Sequence, residues 1–358
     1  MIKKDIHVVL CGGGTLGSVT PLLAVARAIR SHASGATFTW IGTEDGPEAR
    51  LVKEAGIPFH AISAGKLRRY ASWRNLIDPL RVMKGFFQAK RLLRELKADA
   101  VVTAGGYSAV PVVWAAGLAH IFVHVHQQDI RPGLANRLSL PYASSLSVAL
   151  EASLDAFPGT HPEWTGNPVR SELLSGSRQE AERLFSLEHG VPTVLVLGGG
   201  TGAMGINNLV REALPQLTRE AQVLHVTGKG KMIGGDAVRY RQFEFLTVEM
   251  PHAFAAADLV VTRAGMGTLT ELAALGLPAI IVPMPNSHQE ENAQLFAAKG
   301  AGVLLEEPSL SSKIFADIVQ SLLRDSAKLD ALGSAMRSMN RMDADMRIAE
   351  MVLRAMSS

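Results

Sequence analysis

Apolar residues occur along the chain in two sets of short runs, separated by longer stretches with helical periodicity. The first set has apolar runs at 6–11, 37–41, 100–104 and 121–125, with helical stretches such as 21–32 and 80–97. The second set begins after residue 170 and has runs at 193–197, 222–227, 258–262 and 279–283, with helical stretches at 205–219, 267–275 and 289–299. Such alternation predicts a parallel sheet with helices on both faces. Two sets predict two such sheets.

The two sets are separated by residues 158–170 (PGTHPEWTGNPVR), where prolines and glycines interrupt the pattern. At about 150 residues per domain, a chain of 358 residues is long enough for two domains. We predict an N-terminal domain over 1–164, a C-terminal domain over 165–340 and a last helix in 341–358 that packs back on the first domain. The predicted fold class is α/β, with two Rossmann-like parallel-sheet domains.

Each set opens with an apolar run that ends in a glycine-rich turn, HVVLCGGGTLG at 7–17 and TVLVLGGGTGA at 193–203. One such turn is typical of a dinucleotide-binding protein. That class expects an acidic residue at the end of the second strand, about 20 residues after the glycines. Residues 37–42 contain none and Glu44 comes late, which disfavours a dehydrogenase. Two glycine-lined sheet edges facing across a cleft instead suit a group-transfer enzyme with separate donor and acceptor half-sites.

Composition narrows the protein class further. The chain is 47% hydrophobic, and no apolar run reaches the ~20 residues that a membrane-spanning helix needs. The apolar stretch at the N-terminus is too short for a signal peptide and is interpreted as the first strand. Cys11 is the single cysteine and cannot form an internal disulfide, so we expect a cytosolic protein.

Positive charge is concentrated in residues 66–97. This stretch holds ten of the 36 Lys/Arg and two of the 33 Asp/Glu, a local charge of +8, which leaves −5 for the rest of the chain. Its aromatic and aliphatic residues are interleaved with the basic ones, as on a surface that meets an anionic bilayer. A solvated amphipathic helix explains the pattern equally well. No nucleic-acid-binding motif accompanies it, so we expect no nucleic acid partner.

Several longer motifs occur in a characteristic order: GGGTLGSVTPLLAVARAI, AGGYSAVP, HQQDIRPGLANR, TGNPVR, LGGGTGAMGIN, RAGMGTLTELAALGLPAIIVP and SHQEENAQLFAAKGAG. In this order they resemble the MurG family of peptidoglycan N-acetylglucosaminyltransferases over nearly the whole chain. The resemblance implies a GT-B glycosyltransferase that works without a metal or other cofactor and inverts the anomeric centre. It would move N-acetylglucosamine (GlcNAc) from UDP-GlcNAc to the 4-hydroxyl of undecaprenyl-pyrophosphoryl-muramyl-pentapeptide, converting lipid I to lipid II in cell-wall synthesis.

The resemblance places the donor mainly in the C-terminal half. A glycine-rich turn at 264–267 leads into a helix whose N-terminus suits a pyrophosphate. Glu271 would accept hydrogen bonds from the ribose hydroxyls; the alternative is that its charge only compensates the helix dipole. Thr268 and Thr270 would donate to phosphate or sugar; the alternative is that they only cap the helix. The donor-binding residues implied are Thr15, Leu16, Gly17, Asp129, Arg170, Gly200, Thr201, Thr247, Met266, Gly267, Thr268, Leu269, Thr270, Glu271, Gln289 and Asn292.

The N-terminal half would hold the polyprenyl-pyrophosphate-linked muramyl peptide acceptor. Two glycine turns could bind its pyrophosphate through backbone N–H groups, without a basic side chain. The acceptor-binding residues expected there are Gly13, Gly14, Gly105, Gly106, Tyr107 and Ser108.

The chain departs from the family at the positions expected to carry catalysis. Ser18 stands where the family has a histidine, and the family's H-E-Q-N is His126-Gln127-Gln128-Asp129 here. An inverting displacement needs a base for the acceptor hydroxyl, and serine cannot act as one near neutral pH. Our hypothesis is that Asp129 is that base or orients it; the alternative is that Asp129 only hydrogen-bonds the donor sugar. His124 and His126 are expected to be packed core residues.

The remaining expectations concern metal, membrane and competing functions. Asp343-Ala344-Asp345 resembles a metal-binding D-x-D, but helix capping explains it better, so we expect no metal. A lipid-linked acceptor favours peripheral docking on the cytoplasmic face of the plasma (inner) membrane through residues 66–91, including Arg68, Arg69, Arg81 and Lys84. Three alternatives stay open: a GT-B transferase with another lipid or natural-product acceptor, a UDP-GlcNAc 2-epimerase, and a UDP-sugar sensor without catalysis.

Overall fold

The structure, a computed structural model, describes residues 5–14, 16–44, 46, 48–65, 74–199, 202–234 and 237–356. The chain divides into two compact units. Unit 1 comprises Met1–Arg170 together with Arg341–Ser358, and unit 2 comprises Ser171–Asn340. Each unit is built on its own parallel sheet.

The strands, in chain order, are β1 (His7–Cys11), β2 (Thr37–Gly42), β3 (Phe59–Ala61), β4 (Ala100–Thr103), β5 (Phe122–Gln127), β6 (Ser145–Val148), β7 (Glu163–Trp164), β8 (Thr193–Leu197), β9 (Gln222–Val226), β10 (Tyr240–Phe243), β11 (Leu259–Thr262), β12 (Ala279–Ile281) and β13 (Val303–Leu304).

The α-helices are α1 (Val19–His32), α2 (Glu48–Glu54), α3 (Arg74–Glu95), α4 (Ala109–Leu118), α5 (Leu134–Ser139), α6 (Arg178–Phe185), α7 (Met204–Leu217), α8 (Met250–Ala256), α9 (Met266–Leu275), α10 (Gln289–Ala298), α11 (Ser312–Leu323), α12 (Ser326–Arg337) and α13 (Ala344–Ala355). Short 3-10 helices occur at Leu16–Ser18, Leu140–Tyr142, Glu151–Ala156, Ser171–Ser175 and Glu307–Ser309.

In unit 1 the strand order is β3-β2-β1-β4-β5-β6-β7, and neighbouring strands run parallel. Both faces of this sheet are buried, as expected for parallel sheets. Along β1, Val8 and Leu10 join a core with α1 and α13, whereas Val9 and Cys11 face a second core with α3 and α4. The C-terminal helix α13 thus completes the core of unit 1, to which Ile348 contributes.

In unit 2 the order is β10-β9-β8-β11-β12-β13, again parallel throughout. Its main core lies between this sheet and helices α7 and α11, with Val194 and Val196 of β8 facing Val210 and Phe315. In each unit the first strand in sequence lies between two others, so the glycine turn that follows it lies in the middle of the carboxyl edge. That is the position at which open α/β sheets bind ligands.

These observations confirm the predicted class, two Rossmann-like parallel-sheet domains. The eight predicted strands are present, with ends that differ from the prediction by at most two residues. The prediction missed β3, β6, β7, β10 and β13, which are only two to four residues long and include polar segments such as Glu163–Trp164. β3, β6, β7 and β10 contain polar residues and β13 has only two residues, so none of them forms the apolar run by which the other strands were predicted. Among the described residues, no helix combines the length and hydropathy that crossing a membrane requires.

Candidate functional site

The two glycine turns of unit 1 that were predicted to bind the acceptor touch each other. They follow β1 and β4, which are neighbours in the sheet. Gly106 has φ +96°, and a Cβ at this position would lie 2.6 Å from the carbonyl oxygen and 2.8 Å from the nitrogen of Gly13. Only glycine permits this backbone-to-backbone contact. The structure therefore brings the predicted residues Gly13 and Gly106 together at one edge of the sheet.

The turn after β1 is held by two side chains that the sequence did not single out. Trp40 of β2 donates its indole N–H to the carbonyl of Gly12 (3.1 Å). Glu48, the first residue of α2, is fully buried and accepts from the N–H of Gly14 (3.3 Å). The Gly14 N–H is therefore engaged within the protein, which leaves fewer backbone donors for a pyrophosphate than the sequence suggested. Neither residue belongs to a motif that could have revealed it.

Three buried side-chain oxygens at these turns have no hydrogen-bond partner within the described part of the chain: Ser18 Oγ, Ser108 Oγ and Asn136 Oδ1. A Cβ added at Gly12 would lie 3.3 Å from the Ser18 hydroxyl, and one at Gly105 would lie 3.0 Å from the Asn136 oxygen. Buried polar groups in proteins are nearly always hydrogen-bonded. These three oxygens are therefore unsatisfied polar groups beside the two glycine turns. Ser18 and Ser108 were predicted; Asn136 was not.

Asp129 is half-buried just beyond the carboxyl end of β5, beside β4. Its backbone is held by Gln127, whose carboxamide donates to the carbonyls of Asp129 (2.7 Å) and Arg131 (2.9 Å) and accepts from Asn136 (2.6 Å). The neighbouring Gln128 donates to the carbonyl of Ala104 (3.2 Å), in the β4 turn. A glutamate at 127 could not donate these bonds, so the amide noted as a departure in the sequence has a structural role.

His124 and His126 form a buried hydrogen-bonded chain. His124 contacts the hydroxyls of Ser145 (2.7 Å) and Ser147 (2.9 Å), and His126 contacts Ser147 (2.8 Å) and the Asn167 carboxamide oxygen (3.0 Å). Burial lowers the pKa of His124 to about 3 and that of His126 to about 4. Both rings are therefore neutral at physiological pH. The expectation that they are packed core residues is confirmed.

In unit 2, the glycine turn after β8 is covered by the loop after β9. Lys231 donates its ammonium to the carbonyl of Gly202 (3.1 Å). Asn207 of α7 is fully buried and holds this loop by donating to the carbonyls of Thr227 (3.0 Å) and Lys231 (3.2 Å). Its oxygen in turn contacts His225 (3.1 Å), and burial lowers the pKa of that ring to about 4. The sequence analysis did not single out Lys231 as a residue near this glycine turn. The GKGK segment at 228–231, in which lysines alternate with glycines, was the available signal.

The predicted donor residues on and near α9 differ in what their side chains do. Thr270 donates its hydroxyl to the Met266 carbonyl (2.6 Å), and Asn292 is fully buried and donates to the carbonyl of Ala264 (3.1 Å). The Gln289 oxygen accepts from the N–H of Met284 (3.1 Å). Thr270 and Asn292 therefore hold the backbone around the start of α9, and Gln289 holds the loop after β12.

The other predicted residues on α9 fall into two groups. Met266 and Leu269 are buried, so their side chains contribute to packing. The predicted residues of the helix that are partly exposed are Gly267, Thr268 and Glu271. Thr247 is exposed in the loop after β10, and its N–H donates to Glu249 (3.1 Å).

The remaining predicted residues are placed as follows. Gly17 lies in the 3-10 turn that precedes α1, and Arg170 is half-buried at the end of unit 1. Outside the described residues lie Thr15, Gly200 and Thr201, and also the segment 66–73 with Arg68 and Arg69; the side chain of Leu16 is likewise not described.

The D-x-D sequence lies at the start of α13. Asp343 occupies the N-cap position and pairs with Arg347 (2.8 Å). Asp345 is in the first helical turn and accepts from the N–H of Met346 (2.9 Å). Across the part of the chain that the structure describes, no three His, Cys, Asp or Glu side chains form a group suited to a metal ion.

Comparison with known protein families shows that the chain is a glycosyltransferase. Residues 8–148 match the glycosyltransferase family 28 N-terminal domain and residues 193–348 its C-terminal domain, so the chain belongs to glycosyltransferase family 28. Individual relatives within this family have more specific names. A UDP-N-acetylglucosamine–N-acetylmuramyl-(pentapeptide) pyrophosphoryl-undecaprenol N-acetylglucosamine transferase of Legionella pneumophila (strain Paris) is 38% identical over 90% of both chains. One of the same name from Lachnoclostridium phytofermentans is 38% identical over 94% of this chain and 96% of its own.

Among solved structures, MurG of Acinetobacter baumannii superposes with a TM-score of 0.74. It is 27% identical, and the alignment covers 98% of this chain and 100% of that one. These matches confirm the MurG family resemblance that the motifs indicated.

Proposed function

We propose that the protein transfers GlcNAc from UDP-GlcNAc to the 4-hydroxyl of undecaprenyl-pyrophosphoryl-N-acetylmuramyl-pentapeptide, with inversion. The observation that carries this proposal is the 38% identity, over about nine-tenths of both chains, to transferases of that name. The acceptor oxygen attacks C1 of GlcNAc, the C1–O bond to UDP breaks with its electrons, and the hydroxyl proton passes to a base. No covalent intermediate on the protein is needed.

We infer that unit 2 binds the donor at the start of α9. Gly265 is the N-cap of this helix, and the first N–H groups of a helix and its dipole favour an anion there. Glu271 lies in its second turn and is partly exposed, and it is the carboxylate that we assign to the ribose hydroxyls. Asn292, fully buried against the Ala264 carbonyl, supports the turn from below.

We infer that unit 1 binds the acceptor at the β1 and β4 turns. The hydroxyls of Ser18 and Ser108 can donate to phosphate or sugar oxygens, and the Asn136 oxygen can accept from a sugar hydroxyl. Asp129 follows the adjacent strand β5 and is the carboxylate we assign as the base. The neutral rings of His124 and His126 are engaged in the core and are not candidates.

Release of UDP from UDP-GlcNAc tests the proposal, measured with and without a soluble lipid I analogue and in the presence of EDTA. We expect release that depends on the acceptor and is unaffected by EDTA. Donor binding without release under either condition would contradict the transferase and favour a sugar-nucleotide sensor. Release with another acceptor class alone would keep the glycosyltransferase but change its substrate, and conversion of the donor to its 2-epimer would identify an epimerase.

We infer further that α3 docks the protein on an anionic bilayer. Leu80, Met83 and Phe87 are 70%, 48% and 62% exposed, an unusual set of apolar side chains for one surface stripe. Positions three and four residues apart share a helix face, so Lys84 and Lys90, both exposed, lie on this stripe as well. Apolar insertion combined with Lys or Arg contacts is the pattern of peripheral membrane helices.

The docking surface is tested by the double variant Lys84→Glu/Lys90→Glu. Arg81 is kept because its guanidinium lies 3.6 Å from the buried carboxylate of Asp78. Each Lys or Arg near anionic lipid contributes about 1 kcal/mol, so loss of two should weaken binding to phosphatidylglycerol vesicles by roughly 30-fold or more. Vesicle co-sedimentation measures this. The matched control, Arg219→Glu/Lys328→Glu on the exposed surface of unit 2, should bind as wild type. Unchanged binding of the α3 variant would rule out this surface.

A further inference from the structure

Glu48 is enclosed in a site formed by glycines. At Gly13, Gly42 and Gly46 an added Cβ would lie within 3.1 Å of its carboxylate. The side chain is 0% exposed, and burial of a carboxylate is unfavourable unless hydrogen bonds replace the lost water. Three glycines that make room for one buried carboxylate indicate a specific role for that group.

The carboxylate joins two turns at the carboxyl edge of the sheet. One oxygen accepts from the backbone N–H (2.9 Å) and the hydroxyl (2.7 Å) of Thr43, which follows β2. The other oxygen accepts from the N–H of Gly14, in the turn after β1 (3.3 Å). Gly14 has φ +89°, and its opposite side faces the ring of Tyr107 in the β4 turn. The position of Gly14 is thus determined by a carboxylate on one side and an aromatic ring on the other.

Only a carboxylate of this length meets the requirement. Two backbone N–H groups approach two different oxygens, so both side-chain atoms must be acceptors. Glutamine would turn its NH2 group toward one of these N–H donors, and aspartate is one methylene too short to reach both turns. Leaving a buried N–H without an acceptor is costly, and the turn would move to relieve it.

We propose that Glu48 is a positioning residue for acceptor binding, because it fixes the β1 turn against the β4 turn. The inference rests on the proposed function, in which these turns receive the acceptor. Glu48 does not touch the substrate; it acts through Gly14 and through Gly13, whose backbone contacts Gly106. A small displacement of such a turn lowers affinity or rate by up to about 100-fold.

The test combines kinetics with hydrogen exchange on the full-length protein. For Glu48→Gln we expect the acceptor KM to rise about 10- to 100-fold, the donor KM to stay at the wild-type value, and the peptide containing residues 8–18 to exchange faster. The control Glu54→Gln, on the same helix, removes an exposed carboxylate that pairs with Arg50 (2.8 Å). This variant should have the wild-type acceptor KM, donor KM and exchange rate of the peptide containing residues 8–18. An unchanged acceptor KM in a variant that exchanges faster would overturn the proposal.

A second variant covers the case in which Glu48→Gln fails to fold. Thr43→Val keeps the carboxylate and removes one of its three donors, so we expect the same changes at smaller size; wild-type acceptor KM would contradict the inference. If the wild-type protein does not use the lipid I analogue, the proposed function fails by itself. The exchange measurement then still tests whether Glu48 holds the β1 turn. Rapid exchange of the Gly14 N–H in the wild type would overturn that part of the proposal.

Discussion

We expect the Asp129→Asn variant to lose about 100- to 10,000-fold in kcat while its KM for UDP-GlcNAc stays close to that of the wild type. General-base catalysis contributes rate accelerations of that size. Asparagine has the same shape and can still hydrogen-bond a sugar hydroxyl, but it cannot take a proton. The substitution therefore separates the two roles that the sequence left open for this carboxylate.

The structure supports this design because the loop that carries Asp129 is held by side chains other than its own carboxylate. Gln127 holds the Asp129 carbonyl at 2.7 Å, and Gln128 ties the same loop to the β4 turn. The backbone should thus remain in place in the variant. Single-turnover UDP release with the lipid I analogue measures the effect, and Asp155→Asn, an exposed aspartate of the same unit, is the control. Turnover of Asp129→Asn close to wild type would exclude Asp129 as the base.

The second large effect is a loss of stability of unit 1 in mild acid. His124 and His126 have a pKa of about 3 and about 4 in the folded protein against 6.5 in the unfolded chain. The unfolded chain therefore binds protons below pH 6.5 that the folded protein does not, and stability falls as pH decreases through this window. Between pH 7.5 and pH 5.5 the two rings together should lower the free energy of unfolding by about 2–3 kcal/mol.

Urea unfolding followed by tryptophan fluorescence measures this loss, because all four tryptophans lie within residues 1–170 and report on unit 1. The variant His126→Gln cannot titrate and should show about half of the pH dependence. His161→Gln removes an exposed histidine of the same unit and should leave the dependence unchanged. A free energy of unfolding that is constant between the two pH values would show that the buried rings titrate normally.

Much of the fold and part of the site could be predicted because the relevant signals are local. A buried parallel strand is a continuous apolar run, as in TVLVL at 193–197, and all five residues of β8 are buried. Glycine turns directly after such strands predict where backbone approaches a ligand. Gly13 and Gly106 were predicted in this way, and their contact follows from the adjacency of β1 and β4.

Other features depend on contacts between residues far apart in sequence, for which the chain carries no local signal. The carboxylate of Glu48 reaches Gly14 across 34 positions, and His126 reaches Asn167 across 41. For Thr270 and Asn292, the residue type suggested a ligand contact that the sequence could not distinguish from a contact within the protein. Their side chains suit a sugar nucleotide by type, but in the folded chain they donate to backbone carbonyls.

The sequence by itself determined the alternation of strands and helices, the two-domain α/β class, the glycine turns at the strand ends and the family. These follow from hydrophobic periodicity and from short motifs, which act within one turn or one strand. Tertiary structure alone decided which polar groups have hydrogen-bond partners within the protein. Glu48 and the two histidines have such partners, whereas the oxygens of Ser18 and Ser108 have none in the described chain. The physical reason is that a buried polar atom must find its partner in three dimensions, and chain folding supplies that partner without regard to distance in sequence.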